Sequence, residues 1–324
     1  MLIRNFFPLS SRCAKQFLFA LSSLCCLLPV FPMGRFDDIF ATKKNEQNLN
    51  KKPSKPEYLY CFEKGYPQIQ FDSTWDEEQN DYLISLLIPK NDGSKFTVEL
   101  YWCDSRMLPK DKISLKDSFR PLLYKMPKEV PDPEQFSEEQ IRQIKLFTSK
   151  ENRKNGPVDP PFFHDAVFNV GDQILTESHI TKVNIFDGWS VNVHEYLKEP
   201  LKKVTSRIEA LPKDEEITSF LKSLNRTDGF NWRTVRDREA RSYHSIGLAI
   251  DILPRGYYQR IIYWGWQKQI DGENWWKTPL KKRWSPPQRV IDIFREEGFI
   301  WGGLWIVWDN MHFEYHPELI IYNE

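Results

Sequence analysis

Two short segments of this 324-residue chain carry residue types at spacings suited to metal chemistry. The first runs Ser242-Tyr243-His244-Ser245-Ile246-Gly247-Leu248-Ala249-Ile250-Asp251. Its histidine and aspartate lie seven residues apart, and Gly247 between them allows a bend that brings both side chains to one point. Neutral imidazole and carboxylate are both zinc ligands. On this segment alone, a core histidine beside an ordinary strand aspartate is an equal alternative. The second segment is Trp308-Asp309-Asn310-Met311-His312-Phe313-Glu314-Tyr315. A strand over Met311–Tyr315 puts His312 and Glu314 on one face and Met311, Phe313 and Tyr315 on the other. His312 can then hold a metal while Asp309, on the preceding turn, addresses the water beside it. The bland alternatives are a surface histidine and a turn aspartate. Glu314 reads as a partner behind the site or as a solvated carboxylate. Two histidines and one carboxylate leave a fourth zinc position to water, which is the layout of a catalytic site. Such a site hydrolyses carbonyl compounds, with a carboxylate moving the proton.

A hydrolase of this kind benefits from a fixed cation near the developing oxyanion. Arg233, in Phe230-Asn231-Trp232-Arg233-Thr234-Val235, is the candidate, and Arg236, Arg238 and Arg241 are rivals by proximity. His164, in a Pro-Pro-Phe-Phe loop, and His194, near a helix start, read as structural or exposed. His316, before Pro317, falls close to the second segment and has no assigned role.

These residues need elements to hold them. Leu197, Leu201, Val204 and Ile208 recur at helical spacing. Asp214 can cap a second helix with Ile217, Phe220, Leu221 and Leu224 inward. Ser285-Pro286-Pro287-Gln288 has the form of a capping box, and Gly298 of a helix stop. Short β-like runs lie at Leu248–Leu253, Ile300–Trp305 and Met311–Tyr315. Helices mixed with a small antiparallel sheet predict an α+β domain over 170–324. Nine of the twelve tryptophans follow residue 230, which predicts either a large-aromatic core or an aromatic-walled cleft.

Upstream, Tyr82–Ile88 and Lys95–Cys103 flank Asn91-Asp92-Gly93, a hairpin signal, with Phe96, Val98, Leu100 and Trp102 on one face. Ser137-x-x-Gln140 is a capping box for a helix through Phe147. Residues 148–163 read as a linker, so 57–165 is expected to form a separate β-rich module of open role. Residues 35–56 are polar and lysine-rich and read as a linker. Residues 1–34 combine basic positions with a 15-residue apolar run, Phe17 to Phe31. This reads as an export signal or signal anchor, because a spanning helix needs about 20 residues. The expected location is therefore extracytoplasmic: periplasmic, secreted, or attached to the membrane through that apolar segment. Lys+Arg and Asp+Glu both number 45, so no bulk charge draws the chain to nucleic acid, and no nucleic-acid partner is expected. No C-x-x-C spacing occurs, which argues against a cysteine zinc site; Cys61 and Cys103 remain possible disulfide partners.

Ser-x-His-x-x-Gly-x-Ala-x-Asp at 242–251, followed by Asp-x-x-His-Phe-Glu at 309–314, resembles the zinc D-alanyl-D-alanine carboxypeptidase and L-alanyl-D-glutamate endopeptidase family. These enzymes trim or cut the peptide stems of bacterial cell walls. Asn231-Trp232-Arg233 and Gly298-Phe299-Ile300-Trp301-Gly302-Gly303 are similar to that family too, and the order of elements matches over roughly 190–324. The resemblance implies Zn2+ as cofactor, His244, Asp251 and His312 as its ligands, and Asp309 as general base. It implies Arg233 as the carbonyl-polarising residue and a peptidoglycan peptide as substrate. Some members carry Glu where this chain has Asp309. D,D-carboxypeptidase and endopeptidase activity both stay open. The alternative is a non-catalytic wall-binding or scaffold protein on the same fold.

Overall fold

The computed structural model describes residues 54–324 apart from 91, 187 and 236–239. The expected export signal at 1–34 and most of the linker at 35–56 lie outside the described residues. No helix among the described residues is long and apolar enough to cross a membrane.

The described chain is α+β. It opens with α1 (Leu59–Gly65) and a three-stranded antiparallel sheet, β1 (Gln70–Asp76), β2 (Asp81–Pro89) and β3 (Lys95–Tyr101), in the order β1-β2-β3. Alternation in β2 buries Ile84 and Leu86 completely on one face. Next come α2 (Glu138–Phe147), α3 (Lys150–Asn155), α4 (Phe162–Phe168) and α5 (Gln173–Ser178). The capping box at Ser137 and Gln140 is formed in both directions. A hairpin follows, β4 (Ile180–Ile185) and β5 (Trp189–His194).

The second half contains α6 (Lys198–Glu209), α7 (Glu215–Ser223), β6 (Leu224–Asp228), β7 (Ala249–Pro254), α8 (Trp264–Asp271), α9 (Gln288–Glu296), β8 (Phe299–Trp301), β9 (His312–Tyr315) and α10 (Pro317–Asn323). Asp214 caps α7 by accepting from Ile217 N–H. The four-stranded sheet has the order β6-β7-β9-β8, antiparallel throughout. Its inner face receives α9, where the Phe294 and Phe313 rings stack at 4.1 Å.

Three expectations need correction. Residues 148–163 are not a bare linker, because Ser149 caps α3 and α4 begins at Phe162. Ser285 does not cap α9. The helix starts at Gln288 after an extended Pro287, and Ser285 Oγ accepts instead from Asn310 Nδ2 at 2.8 Å. A proline disfavours helical geometry in the residue before it, so Pro287 keeps Pro286 out of the first turn. The segment 57–165 does not stand apart from 170–324. Leu59, Phe62, Tyr66, Ile84, Leu86 and Phe163 share one hydrophobic core with Val204, Leu248, Ile250, Phe294 and Phe313. A second cluster joins Ile144 and Phe147 of α2 to Trp264, Trp275, Trp276 and Trp308. The crowded tryptophans are thus largely core; Trp275 and Trp308 are each 1% exposed. Cys61 and Cys103 are buried and not joined in a disulfide.

Candidate metal centre

Asp251 on β7 and His312 on β9 are direct partners across the antiparallel ladder. Opposite residues in such a pair project to the same face, so their side chains meet. His312 Nδ1 lies 2.8 Å from Asp251 Oδ1. His244 arrives from a 3-10 turn, Tyr243–Ile246, immediately before β7. Ser242 starts this turn: its hydroxyl accepts from His244 N–H, and its carbonyl accepts from Ser245 Oγ. Gly247 ends the turn in the left-handed region at φ +69°, where a Cβ would stand 2.5 Å from the His194 nitrogen. That reversal sends the chain into β7 and leaves His244 Nε2 3.2 Å from both His312 Nδ1 and Asp251 Oδ1.

The donor chemistry fits a divalent cation. Gly229 carbonyl is 2.7 Å from His244 Nδ1. A carbonyl only accepts, so Nδ1 carries the proton and Nε2 presents its lone pair. Glu314 Oε1 lies 2.9 Å from His312 Nε2, which in the same way turns the lone pair of Nδ1 toward Asp251. Three electron-rich atoms therefore converge at 2.8–3.2 Å, and each imidazole has a backing acceptor of the kind that orients metal-bound histidines. In a tetrahedral zinc site with bonds of about 2.0–2.1 Å, neighbouring ligands stand roughly 3.3 Å apart. His244, Asp251 and His312 are 2%, 8% and 6% exposed. Convergent buried lone pairs are costly unless a proton or cation sits among them.

The electrostatics agree. Burial opposes ionisation of Asp251, but His244 and His312 outweigh it and hold its carboxyl well below the usual range. Burial likewise opposes charge on His312, yet Asp251 and Glu314 hold its imidazole pKa well above the ordinary value. A proton is thus retained in this cluster, where a metal ion would replace it. Glu314, also buried, is held low by His312 and His316 against its own desolvation.

Asp309 sits on the turn entering β9. Its N–H donates to Gly302 carbonyl at 3.0 Å, and its carbonyl accepts from His312 N–H at 3.2 Å. Its Oδ1 is buried and has no hydrogen-bond partner among the described residues. Burial pushes the carboxyl up to about 8; His312 draws it down, while Asp251 and Glu314 add to the rise. Asp309 is therefore close enough to the cluster to feel its charges; a cation held by the three donors would draw its carboxyl back down and leave the buried oxygen as an anion able to take a proton.

The arginines divide differently. Arg233 is exposed, and its backbone carbonyl accepts from Ser242 N–H at 3.3 Å, which ties its segment to the His244 turn. Arg241 is committed elsewhere, to the Asp165 carboxylate and the Val170 carbonyl. Arg236 and Arg238 lie outside the described residues.

Three further residues had no ligand or catalytic role from the sequence alone. His316, Glu318 and His164 are buried and grouped near Glu314. Their signal was partly visible, since His312, Glu314, His316 and Glu318 alternate at every second residue. His164 carried no such signal, and neither did Tyr66, whose hydroxyl donates to Glu318 Oε2 at 2.7 Å. His194 is, as expected, at a helix start, where its Nδ1 accepts from Tyr196 N–H.

No curated protein and no solved structure matches this chain. Residues 58–124 match a family described only as a domain of unknown function. Residues 235–315 match the family described as D-alanyl-D-alanine carboxypeptidase. That span contains both motif segments, and with them the three convergent donors, Asp309 and Glu314; Arg233 falls just before it.

Proposed function

We propose that this chain is a zinc-dependent peptidase that hydrolyses peptide bonds in peptidoglycan stem peptides outside the cytoplasm. The observation that carries the reading is the convergence of His244 Nε2, Asp251 Oδ1 and His312 Nδ1, with an unpartnered Asp309 Oδ1 on the adjoining turn. The match of residues 235–315 to a carboxypeptidase family supports the substrate class.

A zinc ion held by His244, Asp251 and His312 would supply Lewis acidity, polarising the scissile carbonyl and making water a nucleophile at neutral pH. Glu314 and the Gly229 carbonyl hold the two imidazoles in the tautomers that keep their inner nitrogens unprotonated. Asp309 Oδ1 takes the proton from the attacking water and returns it to the leaving amine, so one carboxylate serves as base and then as acid. Arg233, on the segment bonded to the His244 turn, is assigned to the negative charge that grows on the carbonyl oxygen. Whether the product is a terminal D-alanine or two internal fragments depends on how the substrate's carboxylate end is held.

The test uses the full chain, loaded with zinc, on defined muropeptides with products read by mass spectrometry. Loss of a D-alanine or a cut within the stem, abolished by chelation and restored by zinc, supports the reading. Intact muropeptides that remain bound to the protein would favour the wall-binding alternative.

A further inference from the structure

A second group of buried donors lies beside the first. His164 on α4, His316 just after β9 and Glu318 on α10 each offer one donor atom, all within 4.8 Å of one another. The three residues are 2%, 3% and 0% exposed. His316 Nδ1 stands 2.8 Å from Glu318 Oε1, the same separation as His312 Nδ1 from Asp251 Oδ1. Tyr66 holds the other Glu318 oxygen. Glu314 lies between the groups, with Oε1 2.9 Å from His312 Nε2 and Oε2 3.4 Å from His316 Nε2.

An ion-pair network explains part of this. A protonated His316 pairs with both Glu314 and Glu318. It leaves His164 Nε2 buried without a hydrogen-bond partner, while His316 Nε2 and Glu314 Oε2 face each other at 3.4 Å. Buried polar atoms of this kind are rare and mark a missing ligand or water. Burial keeps the His164 imidazole neutral, so it retains a lone pair. Two imidazoles and a carboxylate suit a borderline first-row ion, whereas calcium and magnesium prefer oxygen donors throughout.

We propose that His164, His316 and Glu318 form a second zinc-class divalent metal site, distinct from that of His244, Asp251 and His312. The ion takes the place of the proton on His316 and gives His164 the partner it lacks. His316 binds through Nδ1 and turns Nε2–H toward Glu314, so Glu314 backs one histidine of each site. Tyr66 backs Glu318 as Glu314 backs His312. The ion cross-links α4 to the start of α10, fastening the first half of the chain to the end of the second. A cavity of about 240 Å³ lined by His164, Ser242 and Tyr243 offers an entry path.

The experiment counts metal. The full chain is stripped with chelator, dialysed against zinc and analysed by plasma mass spectrometry, together with His164→Gln and His244→Gln. Two equivalents in the unchanged chain and one in His164→Gln are expected. One equivalent in both, or two in both, overturns the second site. His244→Gln reports separately on the first site: if it keeps the wild-type count, the peptidase reading fails while His164→Gln still decides this one. Should His164→Gln not fold, cobalt(II) titration of the unchanged chain decides. Saturation of the d–d absorption at two equivalents supports the proposal, and saturation at one overturns it.

Discussion

Asp309→Asn separates proton transfer from structure more cleanly than any other change at this site. Asparagine has the same shape, residue 309 is fixed by backbone hydrogen bonds to Gly302 and from His312, and an amide oxygen can still accept from the Met311 N–H that faces the carboxyl. Oδ1 has no partner to lose. In the metal-free chain burial and the nearby Asp251 and Glu314 disfavour the carboxylate, so a neutral amide does not harm the fold. Zinc content and melting temperature should therefore match those of the wild type. Turnover should fall, because an amide oxygen at neutral pH cannot accept a proton. General acid–base help is typically worth ~10²–10⁴-fold, or about 2.7–5.4 kcal/mol at the transition state. The assay compares steady-state hydrolysis of a stem peptide that the wild type cleaves, with metal content and thermal melts of the same preparations. Near-wild-type turnover would refute the reasoning and move the base to Glu314. Loss of zinc would refute it differently, by making Asp309 a ligand.

Other outcomes follow from the same geometry. Glu314→Gln keeps an acceptor for His312 Nε2 but removes its charge, so zinc affinity measured by competition with a chromophoric chelator should drop about 10–100-fold; an unchanged affinity would show that Glu314 does not tune the metal. Gly247→Ala puts a Cβ against the His194 backbone at φ +69°, which should cost ~2 kcal/mol or more in urea unfolding and loosen zinc binding as well. A wild-type unfolding midpoint would contradict the strain argument. A chain beginning at residue 170 loses Leu59, Phe62, Tyr66, Phe163 and Phe168 from the core. At about 1.5–3 kcal/mol for each buried side chain, this approaches roughly 8–15 kcal/mol, the scale of a whole domain's stability. The fragment should aggregate, and a soluble, cooperatively melting, zinc-binding fragment would disprove the shared core.

Much of the site was legible because its parts are local. His244 and Asp251 are separated by one turn and one glycine, and His312 and Glu314 alternate on one short strand. The family resemblance of the two motifs implied these side chains as one ligand set; period-two alternation and a left-handed glycine made them candidates through constraints written in consecutive residues. The same holds for the Ser137 capping box, the Asp214 cap and the α+β class. What only the tertiary structure decided depends on pairs far apart in the chain. The pairing of Asp251 with His312 spans sixty-one residues. The union of residues 57–165 with the second half, hidden by a polar and proline-rich composition at 148–163, rests on apolar contacts such as those around Phe163 and Phe313, which have no fixed spacing. His164 came to His316 and Glu318 in the same way, on α4, whose Phe163 packs against Phe62 and Tyr66. A sequence announces the elements through short-range geometry. Which buried faces then meet is settled by burial and shape over the whole chain, and this brings Tyr66 and His164, silent in the sequence, to within a few ångströms of His316 and Glu318.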